Sequence, residues 1–201
     1  MRRAYAVERM ATVVYVCWGA FFVAWGFGYV YNVLFAPRAV RRDLSITGWW
    51  TRLFLILAFL FLFTRRGTPV RLLAIRPFED PTLVAIGTVL LVASTLFTLW
   101  ARWTLGTMWT GVPTIKESHR LRTTGPYALT RNPIYTGMLG MFVGTALVEG
   151  SLIIAAGALV FLVTVLGRIR SEEHLLRDTF GEEFDRYRAS VAPLIPFVRW
   201  P

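Results

Sequence analysis

The chain reads as an all-α integral membrane bundle of about five transmembrane helices with a C-terminal cytosolic helical tail. Three observations predict it. Of 201 residues, 55% are hydrophobic, and they fall in runs too long for ordinary core helices. The formal net charge is +10, and 21 of the 22 basic residues are Arg, placed just outside the apolar runs. No alternation of strand and helix patterns is present, which excludes an open α/β sheet with a Gly-rich cofactor turn.

The first span is 11–36. Its apolar stretch is about twice the usual 7–15 residues of a signal peptide, so it reads as a membrane helix. Ala20, Ala24 and Gly28 form a small-residue stripe along it. The second span, 46–63, is short and relies on Trp49 and Trp50 as an interfacial anchor, with Arg52, Arg65 and Arg66 near its ends. The third is 82–103. The fourth and fifth, 134–148 and 151–167, are separated only by Glu149, Gly150 and Ser151. A single helix would bury Glu149 at mid-membrane, and Gly150 is a natural helix stop, so an antiparallel hairpin is expected with Glu149 at the far surface. Gly140 and Gly144 give the fourth span a GxxxG face for close helix approach.

Charge in the loops sets the orientation. The 37–52 loop, the 104–133 loop and the tail share one side and hold four, four and six basic residues; the other side holds three, four and none. The bias puts the C-terminus in the cytosol. The same footprint is that of a membrane-surface protein facing anionic headgroups rather than a nucleic-acid binder. The lone cysteine, Cys17, is a small buried hydrophobe with no disulfide partner. Composition shifts near residue 104. Residues 1–103 supply the first three helices, and 104–201 supply a polar loop, the helical hairpin and a charged tail, where function is expected.

Three segments carry candidate chemistry. In the loop from Lys116 to Tyr135, Gly125 and Pro126 signal a turn. Asn132 and Pro133 have the form of a helix start, with Asn capping the free amides and Pro at the first helical position. That N-terminus attracts anionic groups, and His119, Tyr127, Arg131 and Tyr135 surround it in sequence; a plain cap with an interfacial Tyr and Arg belt fits the same residues. At the end of the fifth span, Arg168 and Glu172 share a helix face, and the Glu172 and Glu173 carboxylates suit a cationic ligand or an ordinary solvated helix end. In the third segment, Thr179 and Glu182 have capping-box spacing, and Phe180, Phe184, Tyr187 and Val191 make an amphipathic surface helix that Pro193 and Pro196 terminate. No P-loop, GxSxG or HExxH motif occurs, and His119 and His174 have no partner at metal spacing, so no metal site is expected.

In this order and spacing the segments resemble the isoprenylcysteine carboxyl methyltransferase family and its phospholipid N-methyltransferase relatives. The family pattern is a His-x-Leu-x-x-x-Gly-x-Tyr loop, Arg-His-Pro-x-Tyr at a helix start, Arg-x-x-x-Glu-Glu, a Phe-Gly turn and a closing Ile-Pro. Here it is carried by His119, Leu121, Gly125 and Tyr127; by Arg131, Asn132, Pro133 and Tyr135; by Arg168, Glu172 and Glu173; by Phe180, Gly181 and Phe184; and by Ile195 and Pro196. The resemblance covers about residues 105–197. It implies an S-adenosylmethionine-dependent methyltransferase acting on a lipophilic small-molecule or lipid acceptor, with its site facing the cytosol. It further implies cofactor contacts from His119, Arg120, Leu121, Arg122, Tyr127, Asn132, Pro133, Ile134, Tyr135, Glu172 and Glu173. Glu172 would hold the cofactor's positive amino end and Arg168 would face the acceptor, in that family a carboxylate. Asn132 stands where the family has His, which removes an imidazole charge and keeps a hydrogen-bonding side chain. Two other readings fit the sequence less well: an NADPH-dependent membrane reductase of the sterol-reductase type, which the paired carboxylates disfavour, and a non-enzymatic membrane scaffold.

Overall fold

Pro81 follows Asp80, and together they start a 25-residue helix that runs to Leu105: the Asp80 carboxylate accepts from the amides of Thr82 and Leu83, and Pro81 loses no helical hydrogen bond at the first position. A computed structural model describes residues 2–37, 39–42, 80–109, 114–116 and 120–198, with side chains from Thr12 onward outside the two short strands. Among the described residues there are five α-helices: α1 (Arg2–Phe35), α2 (Pro81–Leu105), α3 (Pro133–Glu149), α4 (Leu152–Phe180) and α5 (Glu182–Ser190). The only other regular pairing among the described residues is an antiparallel ribbon of β1 (Ala39–Arg42) and β2 (Thr114–Lys116), short 3-10 turns and one isolated bridge aside. The expected second span at 46–63 lies outside the described residues.

Segments of α1, α2 and α4 are long and apolar enough to cross a membrane. The fold is an all-helical membrane bundle. At 29 residues, α4 is about 43 Å long against a hydrocarbon core of about 30 Å, so its last turns leave the bilayer. The hairpin forms as expected. Gly150 adopts φ 60° and closes α3 by donating to Ala146 and Leu147, and Ser151 caps α4 by accepting from Ile154. Glu149 stands at this turn, buried against the protein.

The 17 residues of α3 are apolar almost all round because the helix is central, with α2, α4 and α1 packed about it. Its glycine face meets α2 at backbone distance: a Cβ on Gly144 would stand 2.7 Å from the Leu91 amide nitrogen, and one on Gly87 of α2 would stand 2.6 Å from Leu147 Cβ. Toward α1 and α4 the contact is aromatic. Trp18 lies 4.9 Å from Phe142, and Phe142 5.2 Å from Phe161, centroid to centroid, while the Trp18 indole donates to Thr145 Oγ1 at 3.0 Å. The face of α1 that packs is therefore Val14, Cys17, Trp18 and Phe21, and the Ala20, Ala24, Gly28 stripe is not its main seam: Ala20 is exposed. Gly28 of that stripe closely approaches Arg102.

Three pairings gather the loops at one end of the bundle. The ribbon joins the segment after α1 to the segment after α2. Asn32 near the end of α1 donates to the Trp109 carbonyl at 3.1 Å. Thr130 bridges to Ala192 in the tail. These are the loops and tail that charge counting groups on one side.

Candidate active site

The site is built where α3 begins, α4 leaves the membrane and the tail returns. Residues 191–194 of the tail lie along residues 130–136. The Arg131 amide donates to Ala192 O at 2.8 Å, Thr130 Oγ1 donates to Leu194 O at 3.1 Å, and Thr136 Oγ1 also donates to Leu194 O. Asn132 does not cap α3. Its side-chain amide donates to Pro193 O at 2.8 Å instead, because the returning tail offers a carbonyl that a local cap does not. A hydrogen-bond donor is what this position uses, and both Asn and His supply one.

Two arginine–glutamate pairs stand side by side. In the first, Arg168 Nε donates to Glu172 Oε1 at 2.9 Å and to the Tyr135 hydroxyl, and that hydroxyl donates to the same carboxylate oxygen at 2.9 Å. In the second, Arg131 Nε donates to Glu173 Oε1 at 2.8 Å, Arg131 Nη1 donates to the carbonyls of Arg188 and Val191, and Arg188 Nε stands 3.9 Å from Glu173 Oε2. Glu173 is thus engaged through both oxygens and ties α4 to the 131 loop and to α5. Glu172 is engaged through Oε1, with its side chain 24% exposed. Adjacent in sequence, the two carboxylates diverge by about 100° around the helix. One closes the tail; the other faces the space between α3 and α4.

Tyr127 and Tyr187 join the same floor. The Tyr187 hydroxyl donates to the Tyr127 carbonyl at 2.6 Å in a buried bond. Burial pushes both phenols well above their ordinary range; the Glu172 carboxylate adds to this at Tyr127, while Arg102 opposes it there and Arg131 at Tyr187. Tyr127 therefore lies within electrostatic reach of both Glu172 and Arg102. Pro133 and Ile134 are buried at the start of α3, Leu121 is half-buried, and Arg120 and Arg122 are exposed. His119 lies outside the described residues.

The capping box expected at Thr179 and Glu182 does not form. The Thr179 hydroxyl donates to Leu175 O at 2.8 Å inside α4, and the break between α4 and α5 is Gly181 at φ 52°, a left-handed value that glycine tolerates. The expected amphipathic helix forms in part: α5 buries Phe184 and Tyr187, while Phe180 ends α4 and Val191 follows α5.

A family model described as phospholipid methyltransferase matches residues 82–183, half of the chain. The chain belongs to the phospholipid methyltransferase family. The match starts at α2, earlier than the resemblance read from motifs, and stops short of the tail. Among curated proteins the chain is similar to protein-S-isoprenylcysteine O-methyltransferase B of Arabidopsis thaliana, 37% identical over 87 residues, covering 41% of this chain and 43% of that protein. It is also similar to a nickel-cobalt-cadmium resistance protein of Alcaligenes xylosoxydans xylosoxydans, 36% identical over 95 residues, covering 46% and 44%. Among solved structures it is similar to the eukaryotic intramembrane Ras methyltransferase, isoprenylcysteine carboxyl methyltransferase, with a TM-score of 0.54 and 25% identity over 76% of this chain and 52% of that one. The chain spans about half the length of these relatives.

One residue of the site was not singled out by motif. Arg102 is buried near the end of α2, and its signal in the sequence is an arginine inside a predicted span, a placement that costs enough to suggest a role.

Proposed function

We propose that the chain is an S-adenosylmethionine-dependent methyltransferase that acts on a lipophilic acceptor at the membrane–cytosol boundary, with its site in residues 104–201. The observation that carries this is the return of the 191–194 tail over residues 130–136, with the Tyr135, Arg168 and Glu172 cluster directly beside it. The excess of arginine on the loops gathered at this end supports a cytosolic orientation.

The residues present fit a cationic cofactor. The Glu172 side chain stays 24% exposed, and Arg168 holds its carboxylate in place. In this proposal Glu172 receives the cofactor's ammonium, Tyr135 orients Glu172, and Tyr127, Asn132, Pro133 and Ile134 form the adjoining wall. The exposed Arg120 and Arg122, with His119, supply the polar approach. S-Adenosylmethionine, when bound, supplies a methyl group on a positive sulfur. The protein's part is then alignment and exclusion of water, the work of a buried floor and a closed tail. Glu173 acts as a positioning residue through Arg131.

The surroundings favour an acceptor that needs no general base, as a carboxylate does not. His174 points to solvent beside Asp178 at 3.4 Å. Glu173 is already paired with Arg131. Burial makes Tyr127 and Tyr187 weaker acids than free tyrosine.

Calorimetry on the full chain in detergent tests the cofactor. S-Adenosylmethionine is expected to bind, NADPH is expected not to compete, and Glu172→Gln is expected to weaken binding about tenfold or more while the fold holds, the loss of one charged hydrogen bond. Folded protein that takes up no S-adenosylmethionine refutes the proposal.

A further inference from the structure

Each of the buried arginines at the site end has a carboxylate except one. Arg131 has Glu173 and Arg168 has Glu172. Arg102, 7% exposed, has none among the described residues. Its Nη1 donates to Gly106 O at 3.0 Å, and the guanidinium carbon lies 4.5 Å from the centroid of the Trp109 ring. Its Nε and Nη2 are buried and have no hydrogen-bond partner among the described residues. These two nitrogens are one edge of the guanidinium fork, the edge that meets two oxygens of a carboxylate or phosphate at once.

A second atom has no hydrogen-bond partner among the described residues, on the face of α1 that meets Arg102. Asn32 is one helical turn past Gly28, its amide nitrogen donates to Trp109 O at 3.1 Å, and its Oδ1 is buried without a partner. Gly28 permits this arrangement, since a Cβ there would stand 2.4 Å from Arg102 Nη2. An arginine near a helix end ordinarily snorkels its charge to water. Arg102 instead folds against α1, where an ion with idle donors costs several kcal/mol. Exposed apolar side chains flank the spot on both helices, Phe27 next to Gly28 and Trp103 next to Arg102. Tyr127 is in electrostatic reach on the side of the loop.

We propose that Arg102, over Trp109 and beside Asn32, forms an oxyanion subsite that takes the acidic headgroup of a single-chain amphiphile, whose apolar chain lies along Phe27 and Trp103. The subsite stands on geometry; that its ligand is the methyl acceptor rests on the methyl-transfer proposal. The acidic group is either the carboxylate of the acceptor or the phosphodiester of a lipid.

The test is thermal unfolding of the full chain in a neutral detergent with three probes: oleate, oleoyl lysophosphatidylglycerol and oleyl alcohol. An acidic probe is expected to raise the melting temperature of the wild type, and the alcohol is not. Arg102→Met, which fills the volume without the charge, is expected to melt no lower than the wild type when ligand-free and to bind the acidic probe about tenfold or more weakly, as loss of a bidentate charged contact requires. A response to oleate alone identifies a carboxylate ligand, and a stronger response to the lysolipid identifies a lipid headgroup; either supports the subsite. A ligand-free Arg102→Met protein that melts lower or fails to fold makes Arg102 structural and overturns the proposal. Equal shifts with oleyl alcohol and with both acidic probes overturn it in the wild type alone. None of these measurements uses a methyl donor, so failure here and failure of cofactor binding are separate results.

Discussion

The seam between α2 and α3 and the junction between the 130–136 loop and the tail are held in opposite ways. At the seam the backbones themselves approach: Gly87 and Gly144 leave room for no Cβ, and Gly137 and Gly140 sit against Thr98 and Ser94. At the junction long side chains do the joining, with Arg131 reaching Glu173 and two carbonyls and Asn132 reaching a third. The solvent explains the difference. Between lipid tails no hydrophobic force drives helices together, so close van der Waals packing must. At the membrane surface the returning tail buries Ala192 and Leu194 against the bundle, and charged hydrogen bonds of defined geometry fix where it docks. This membrane bundle therefore has a seam with no room for added volume and a junction that depends on each of its polar partners.

The largest effect is expected from breaking the junction. Arg131→Ala leaves Glu173 and two carbonyls without their donor in a site where the side chains are 6% and 16% exposed. It should cost about 3–5 kcal/mol, seen as a lower melting temperature in detergent and as new protease cleavage after Ser190. A tail that stays protected would mean that something other than this pair docks it. Smaller effects are expected at the seam, graded by what an added methyl meets. Gly144→Ala meets backbone and should cost about 1–3 kcal/mol, whereas Gly140→Ala meets the Ser94 hydroxyl, which can turn away, and should cost less. Gly157→Ala meets nothing and should be neutral or stabilising. Melting temperatures in the reverse order would show that the seam is not the tight contact.

The smallest effect concerns the floor of the junction under alkali. Burial raises the Tyr127 and Tyr187 phenols above the free value of about 10. The unfolded chain then releases these protons first, so the stability tied to the neutral phenols is complete below about pH 10 and falls as pH rises beyond it. Tyr187→Phe removes one titrating group and the bond to Tyr127 O. It should lower stability at neutral pH by about 1 kcal/mol and make the alkaline decline shallower. An unchanged slope would place the decline elsewhere.

Much of the fold was legible because its signals are local. Gly150 and Ser151 mark the hairpin, Gly140 and Gly144 mark the seam, and Pro133 marks the start of α3. What was misread has a common cause. Asn132 and Thr179 are good cap residues by type, yet each bonds elsewhere: Asn132 to Pro193, which is distant in the chain, and Thr179 to its own helix, because the positive φ of Gly181 sets the break. On α1 the small-residue stripe suggested the seam, but the large rings of Trp18 and Phe21 had a partner in α3 and took the buried face.

The sequence by itself determined the apolar spans of α1, α2 and α4, the hairpin turn at Gly150 and most of the residues from which the candidate site is drawn, since hydropathy, proline, glycine and charge act over a few neighbouring residues. Only the tertiary structure decided that Glu173 holds the tail while the Glu172 side chain stays partly exposed, and that Arg102 has no counter-ion among the described residues. Those outcomes depend on which helix face meets which distant segment, and no spacing along the chain encodes that meeting.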